Sequence, residues 1–192
     1  MSERVMSAGR TIALVVLAWA LGTAAAAQGP LVERQSRIEA AFLRNFARYV
    51  TWPARAFADD SVPWSVCVID DNHFDASLEQ TFHGRLEQGR PFAVRRAVAP
   101  EALGSCHIVF VSATNAAARR ATLAPLRGLP VLTVGNAPEF LAEGGVVRLL
   151  PGERIEMSIN LDQARRVSLG IPAKLLEVSN EVVENGSTRR LR

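Results

Sequence analysis

The densest group of chemistry-bearing side chains is Asp70-Asp71-Asn72-His73, at the carboxyl end of a short apolar run. Paired carboxylates there could hold Mg²⁺ through hard oxygen ligands, as in signalling receiver domains. Such a site also needs an acceptor aspartate ending the central strand, and this chain has Ser112-Ala113 at that place. The same four residues are favoured turn formers, because Asp and Asn side chains bond their own backbone, so they are read as a loop and no metal is assigned. Ser112 with His107 or His73 could supply a nucleophile and a base, but no Gly-x-Ser-x-Gly elbow surrounds the serine. His83 and His107 stand alone at element boundaries and are read as hydrogen-bonded structural residues. Neither a Gly-x-Gly-x-x-Gly turn nor a Walker loop occurs, so no nucleotide cradle is indicated. The reading is a protein that is not an enzyme and carries no cofactor.

Two cysteines, Cys67 and Cys106, are the other reactive groups, and their chemistry depends on compartment. Arg4 and Arg10 precede an apolar run, residues 12–21, which is followed by Gly22, Thr23 and four alanines. Charged, apolar and small-residue regions in that order predict a cleaved secretory signal peptide over residues 1–27. The run is shorter than the roughly 20 residues needed to cross a bilayer, so the mature chain, residues 28–192, is expected free outside the cytoplasm as one domain. In that oxidising compartment an even pair of cysteines has one connectivity, and a Cys67–Cys106 disulfide is expected. If Cys67 lies in a strand beside the strand that follows Cys106, the α-carbons fall within the 4.4 to 6.8 Å that a disulfide requires.

The elements that must position these residues follow from periodicity. Ser36 and Glu39 fit a capping box, predicting a helix that starts there and turns Ile38, Phe42, Phe46, Tyr49 and Val50 inward until Pro53 ends it or opens a short turn. Residues 64–69, 107–111 and 131–134 are short apolar runs that suit strands buried on both faces, with another strand over 91–98. Helices over residues 74–82 and 115–126 lie between them. Residues 146–150 and 154–159 form a hairpin around Pro151-Gly152-Glu153, its second arm alternating Arg154, Glu156, Ser158 with Ile155, Met157, Ile159. Asn160 caps the next helix, with Gln163 three positions on, and Gly170 closes it. Pro172 opens a last helix with Leu175, Leu176, Val178, Val182 and Val183 inward, and residues 185–192 are a frayed tail. The fold class is α/β: a three-layer αβα sandwich whose mostly parallel sheet ends in an antiparallel hairpin.

Composition narrows the partners. The chain has 192 residues, 48% hydrophobic and 21% charged, as in an ordinary globular domain. Past residue 27 there are 20 basic and 18 acidic residues, a balance that excludes a nucleic-acid binder held mainly by phosphate contacts. Open α/β sheets bind small molecules at the carboxyl ends of their strands, which places a candidate ligand cleft near Asp70, Ser112 and Gly135. Trp52 ends the first apolar helical face at a chain turn. It is a candidate partner-binding residue, with a core plug as the equal alternative.

Five segments in order, AAFLRNFARYVTWP (residues 40–53), SVCVIDD around Cys67, CHIVFVS from Cys106, PVLTVGNAPEFLAEGG (residues 130–145) and IEMSINLDQARRVSLGIPAKLLEVSNEVV (residues 155–183), resemble the YfiR family of small periplasmic proteins. The resemblance covers nearly the whole mature chain. It implies a brake that binds the periplasmic region of an inner-membrane diguanylate cyclase, lowering cyclic di-GMP and biofilm formation, and that an outer-membrane lipoprotein can sequester. Cys67 and Cys106 match one disulfide of the founding member, and its second pair has no counterpart here. Family members also serve as sensor modules beside receptors or kinases, so a small-molecule sensor is the alternative function, and a homodimer stays open.

Overall fold

The computed structural model describes residues 29–69, 74, 76–112 and 115–191. The expected leader and the group Asp70-Asp71-Asn72-His73 lie outside the described residues. The backbone divides into two compact units, residues 1–34 and 35–192, and the described part of the first is the start of a helix. No described helix is long and apolar enough to cross a membrane.

Helix α1 spans Gly29–Tyr49, so it begins a full two turns before the expected start at Ser36. Pro30 suits a first turn, where its missing N–H has no partner to lose, and Leu31, Glu33, Arg34 and Gln35 are good helix formers. Ser36 and Glu39 are instead buried within the helix. The inward stripe is Ala40, Leu43, Phe46, Ala47 and Val50, while Phe42 and Tyr49 lie at its half-buried edge. Pro53 precedes a 3-10 turn, Ala54–Ala56.

The strands are β1 (Trp64–Val68), β2 (Leu86–Glu87), β3 (Arg90–Arg96), β4 (Ile108–Val111), β5 (Leu132–Gly135), β6 (Val147–Leu150), β7 (Glu156–Asn160), β8 (Glu181–Glu184) and β9 (Ser187–Arg190). They form one sheet in the order β2-β3-β1-β4-β5-β6-β7-β8-β9. The pairs β1–β3, β1–β4, β4–β5, β5–β6 and β7–β8 are parallel, and β2–β3, β6–β7 and β8–β9 are antiparallel. The mostly parallel sheet and the antiparallel β6–β7 hairpin are as expected.

Helices α2 (Ser77–Phe82), α3 (Ala116–Leu123), α4 (Leu161–Arg166) and α5 (Ala173–Glu177) complete the fold. Alternate residues of the central strands feed two separate cores, because successive side chains point to opposite faces. Val66, Val68, Ile108, Phe110, Leu132 and Val134 pack with α1 and α2, whereas Cys67, Val109 and Val111 pack with Leu103, Leu123 and Phe140. Three layers result.

The carboxyl end departs from expectation. The helix opened by Pro172 is only the five residues of α5, and Val182 and Val183 belong to β8. Residues 187–190, expected to fray, are β9. Asn185-Gly186, with φ of 53° and 71°, supplies the left-handed pair of a two-residue hairpin turn. The carboxylate of Asp162 accepts from the N–H groups of Asn185 and Gly186 at 2.9 and 2.8 Å, pinning that turn to α4, and those bonds hold its pKa below the ordinary range. Asn160 caps α4 as expected, accepting from Gln163 N–H at 2.9 Å. The helix closes at Val167 and Ser168 (φ 60°), not at Gly170, which instead bridges Thr51.

Candidate functional site

Cys67 and Cys106 are joined, with α-carbons 6.1 Å apart. Both are buried, at 0% and 3% exposure. In the β1–β4 register Cys67 lies opposite Val109, three positions past Cys106. The bond forms because β1 lies between β3 and β4, so the connection from β3 to β4 has to cross it. That crossover is the 3-10 turn Pro100–Ser105, which Cys106 caps, and its Leu103 packs in the same core as Cys67. The disulfide therefore staples a crossover to the strand beneath it.

One residue later, His107 is 5% exposed and fully used. Its Nδ1 accepts from Ser65 N–H at 3.0 Å, so Nε2 carries the hydrogen and donates to the Ala56 carbonyl at 3.0 Å. The ring stacks on Phe57 with centroids 4.3 Å apart and meets Trp64 edge-on at 5.4 Å. Burial pushes the imidazole pKa below its ordinary value; the Ala56 carbonyl opposes this and the Arg90 charge adds to it. Arg90 also lies 4.3 Å over the Phe57 ring and donates to the carbonyls of Asp59 and Val62 at 2.7 and 2.8 Å. The structural role expected for His107 is what the geometry provides. Phe57 and Arg90, its partners, had no sequence signal, since they come from a loop and a strand end distant along the chain.

Trp52 joins this end of the molecule. It is 9% exposed and packs edge-on against Trp64 at 4.9 Å, within the core facing α1. Trp64 in turn donates from Nε1 to the Glu87 carbonyl at 3.0 Å, and the Glu87 carboxylate takes a bidentate pair from Arg48 at 2.9 and 2.7 Å.

At the opposite ends of the strands, Ser112 follows β4 and Gly135 ends β5, where Val111 and Gly135 are register partners. Ser112 and Gly135 thus lie at the same end of neighbouring strands; Asp70 lies outside the described residues. Ser112 is 9% exposed and its Oγ has no hydrogen-bond partner among the described residues. Gly135 faces the ring of Phe140: a Cβ there would stand 2.6 Å from it, and one at Gly145 would stand 2.2 Å away. Phe140 thus occupies space that two glycines leave open. Beside it, Arg119 and Glu143 form a buried bidentate pair at 2.6 and 2.8 Å, and that hydrogen bonding holds the Glu143 pKa below the ordinary carboxylate range. No sequence pattern marked this pair.

The hairpin's polar face is partly covered. Ser158 is buried and receives Arg148 at 3.1 Å, and Arg148 and Arg190 both hold Glu181, at 2.6 and 3.1 Å. Among the described residues no group of His, Cys, Asp and Glu could hold a metal ion.

No curated protein matches the chain. The YfiR/HmsC-like family model matches residues 36–180, from within α1 to the residue before β8. With the doubly covered sheet and the joined cysteines found in the segments that carry the resemblance, the chain belongs to the YfiR/HmsC-like family.

Proposed function

We propose that the chain is a periplasmic regulator that binds the periplasmic domain of an inner-membrane diguanylate cyclase and holds the cyclase inactive, lowering cyclic di-GMP and biofilm formation. Membership of the YfiR/HmsC-like family over residues 36–180 carries this reading. The buried Cys67–Cys106 bond supports it, because structural disulfides persist in oxidising compartments. The charged, apolar and small-residue pattern of residues 1–27 supports export. A brake of this kind acts by occupying its partner and needs no catalytic group of its own. An outer-membrane lipoprotein that captured the chain would release the brake. Deleting the gene tests the reading: cyclic di-GMP and biofilm mass rise and return on complementation, and unchanged levels in a strain whose parent contains the protein refute it.

A second reading has its own observation. In the strand order β3-β1-β4-β5 the connections reverse direction between β1 and β4, which is where open α/β sheets bind ligands. Ser112, whose hydroxyl has no partner among the described residues, follows β4 at that end, and Gly135 is one strand away. A small periplasmic molecule held there would make the chain a sensor acting with a receptor or kinase. Thermal-shift screening of nucleotides, amino acids and sugars tests it, since a ligand at 100 times its Kd adds about 2.7 kcal/mol of stability.

A further inference from the structure

Strand β3 is seven residues long, yet its outer neighbour β2 pairs only with Arg90 and Pro91. The edge beyond Pro91 is open among the described residues. Which main-chain groups face it follows from hydrogen bonds on the far side of β1. The Ser65 carbonyl accepts from His107 N–H and Ile69 N–H donates to the Phe110 carbonyl, so the odd residues of β1 face β4 and the even ones face β3. Val66, opposite Val94, therefore bonds the flanking Ala93 and Arg95, as parallel ladders require, and the N–H and C=O of Val94 point away from the sheet.

A groove of about 410 Å³ runs along this edge between β3 and α2. Its lining is mainly apolar: Phe82, Phe92, Val94, Pro91 and Leu86, the last 62% exposed. Phe82 and Phe92 pack at 4.8 Å, so the floor is fixed. The hairpin wall is fixed too, through the Arg48–Glu87 pair and the Trp64 bond to Glu87. Sheet edges are ordinarily blunted by charge, proline or a covering element, and Phe92 and Val94 lie past the one proline.

We propose that this groove docks an extended segment of a protein partner, added as a strand beside β3, with apolar side chains at alternate positions and an acidic one near Arg85. Strand addition supplies main-chain bonds at Val94, and the apolar wall selects side chains on one face of the added strand. Charge decides the kind of occupant. Of the arginines in the strand RPFAVRR, Arg90 and Arg96 are paired with Asp60 and Glu79, while Arg85 is exposed at the groove's rim. Glu79, the carboxylate lining the groove among the described residues, is taken by Arg96 at 2.8 and 2.9 Å. A second copy would bring the same Arg85-bearing rim to this edge and not an acidic segment, which disfavours self-pairing. Docking here does not require that the partner be a cyclase.

The purified mature protein is panned against a phage-displayed library of random dodecapeptides. Enriched peptides should alternate apolar residues and carry Asp or Glu, and their Kd should rise at least tenfold for Val94→Pro, which removes the outward N–H but no bond to β1. Leu86→Arg is the companion variant, at an exposed position that does not disturb folding, and should weaken the same peptides; Arg85→Glu should abolish the preference for acid. No enrichment, or affinities unchanged in Leu86→Arg and Arg85→Glu, overturns the proposal. So does a dimer in sedimentation that Val94→Pro or Leu86→Arg dissolves, since a second copy would then be the occupant. If gene deletion leaves cyclic di-GMP unchanged while peptides bind as described, the groove stands and the cyclase does not.

Discussion

Cys67 lies opposite Val109 in the sheet but bonds to Cys106, because the turn that Cys106 caps passes over β1 on its way from β3 to β4. The bond closes a loop of 39 positions, so it restricts the unfolded chain as well as holding the crossover in place. On the chain-entropy account a loop of that length is worth roughly 4 kcal/mol.

Cys106→Ser should therefore lower the thermal midpoint and speed proteolysis, with a loss of about 2–4 kcal/mol read by urea unfolding. Mass spectrometry of the non-reduced protein gives the companion result, a mass two hydrogens below that of the dithiol. Two free thiols in periplasmic extract would contradict the staple.

His107 makes stability depend on pH. Its folded pKa lies below the ordinary value of 6.5, so between those values the unfolded chain binds more protons than the folded one. Stability is full above about 6.5 and falls as pH drops toward the folded value. His107→Gln, whose amide oxygen can accept from Ser65 N–H without titrating, should flatten the slope of unfolding free energy between pH 7 and pH 5. An unaltered slope would place the pH dependence elsewhere.

Phe140 and its two glycines should be coupled. Gly145→Ala puts a Cβ into the ring, and overpacking of this kind costs about 1–3 kcal/mol. In the Phe140→Leu background the same substitution should cost measurably less. Equal costs in both backgrounds, by chemical denaturation, would mean that the ring is not what excludes a side chain at Gly145.

Arg119→Met leaves Glu143 buried without its bidentate donor, and about 2 kcal/mol of stability should be lost. Glu143→Gln retains a hydrogen-bond acceptor for Arg119 and should cost less. The reverse order would mean that the buried Glu143 carboxylate does not depend on Arg119 for its hydrogen bonds.

How far the sequence revealed these relationships varied with the physics behind each. The central strands were legible because a strand covered on both faces reads as an unbroken apolar run, as in VCV around Cys67 and IVFV after His107. The last helix misled because Leu175, Leu176, Val178, Val182 and Val183 fit a helical spacing, although the β-branched pair at 182–183 followed by Asn185-Gly186 was a hairpin signal of equal strength. Strand β2, at two residues, is too short to have a period at all. Of the site residues, the cysteines were legible from number and compartment. The His107–Phe57–Arg90 stack was not, because ring stacking between distant segments leaves no spacing to read.

The central claim is that this chain restrains a membrane diguanylate cyclase from the periplasmic side. The most direct measurement reconstitutes the cyclase in proteoliposomes with its periplasmic domain outward and GTP inside, and follows cyclic di-GMP synthesis as purified protein is added externally. The account predicts a saturable fall in the rate of synthesis, and a rate that stays constant at protein concentrations where binding to the cyclase is complete would contradict it.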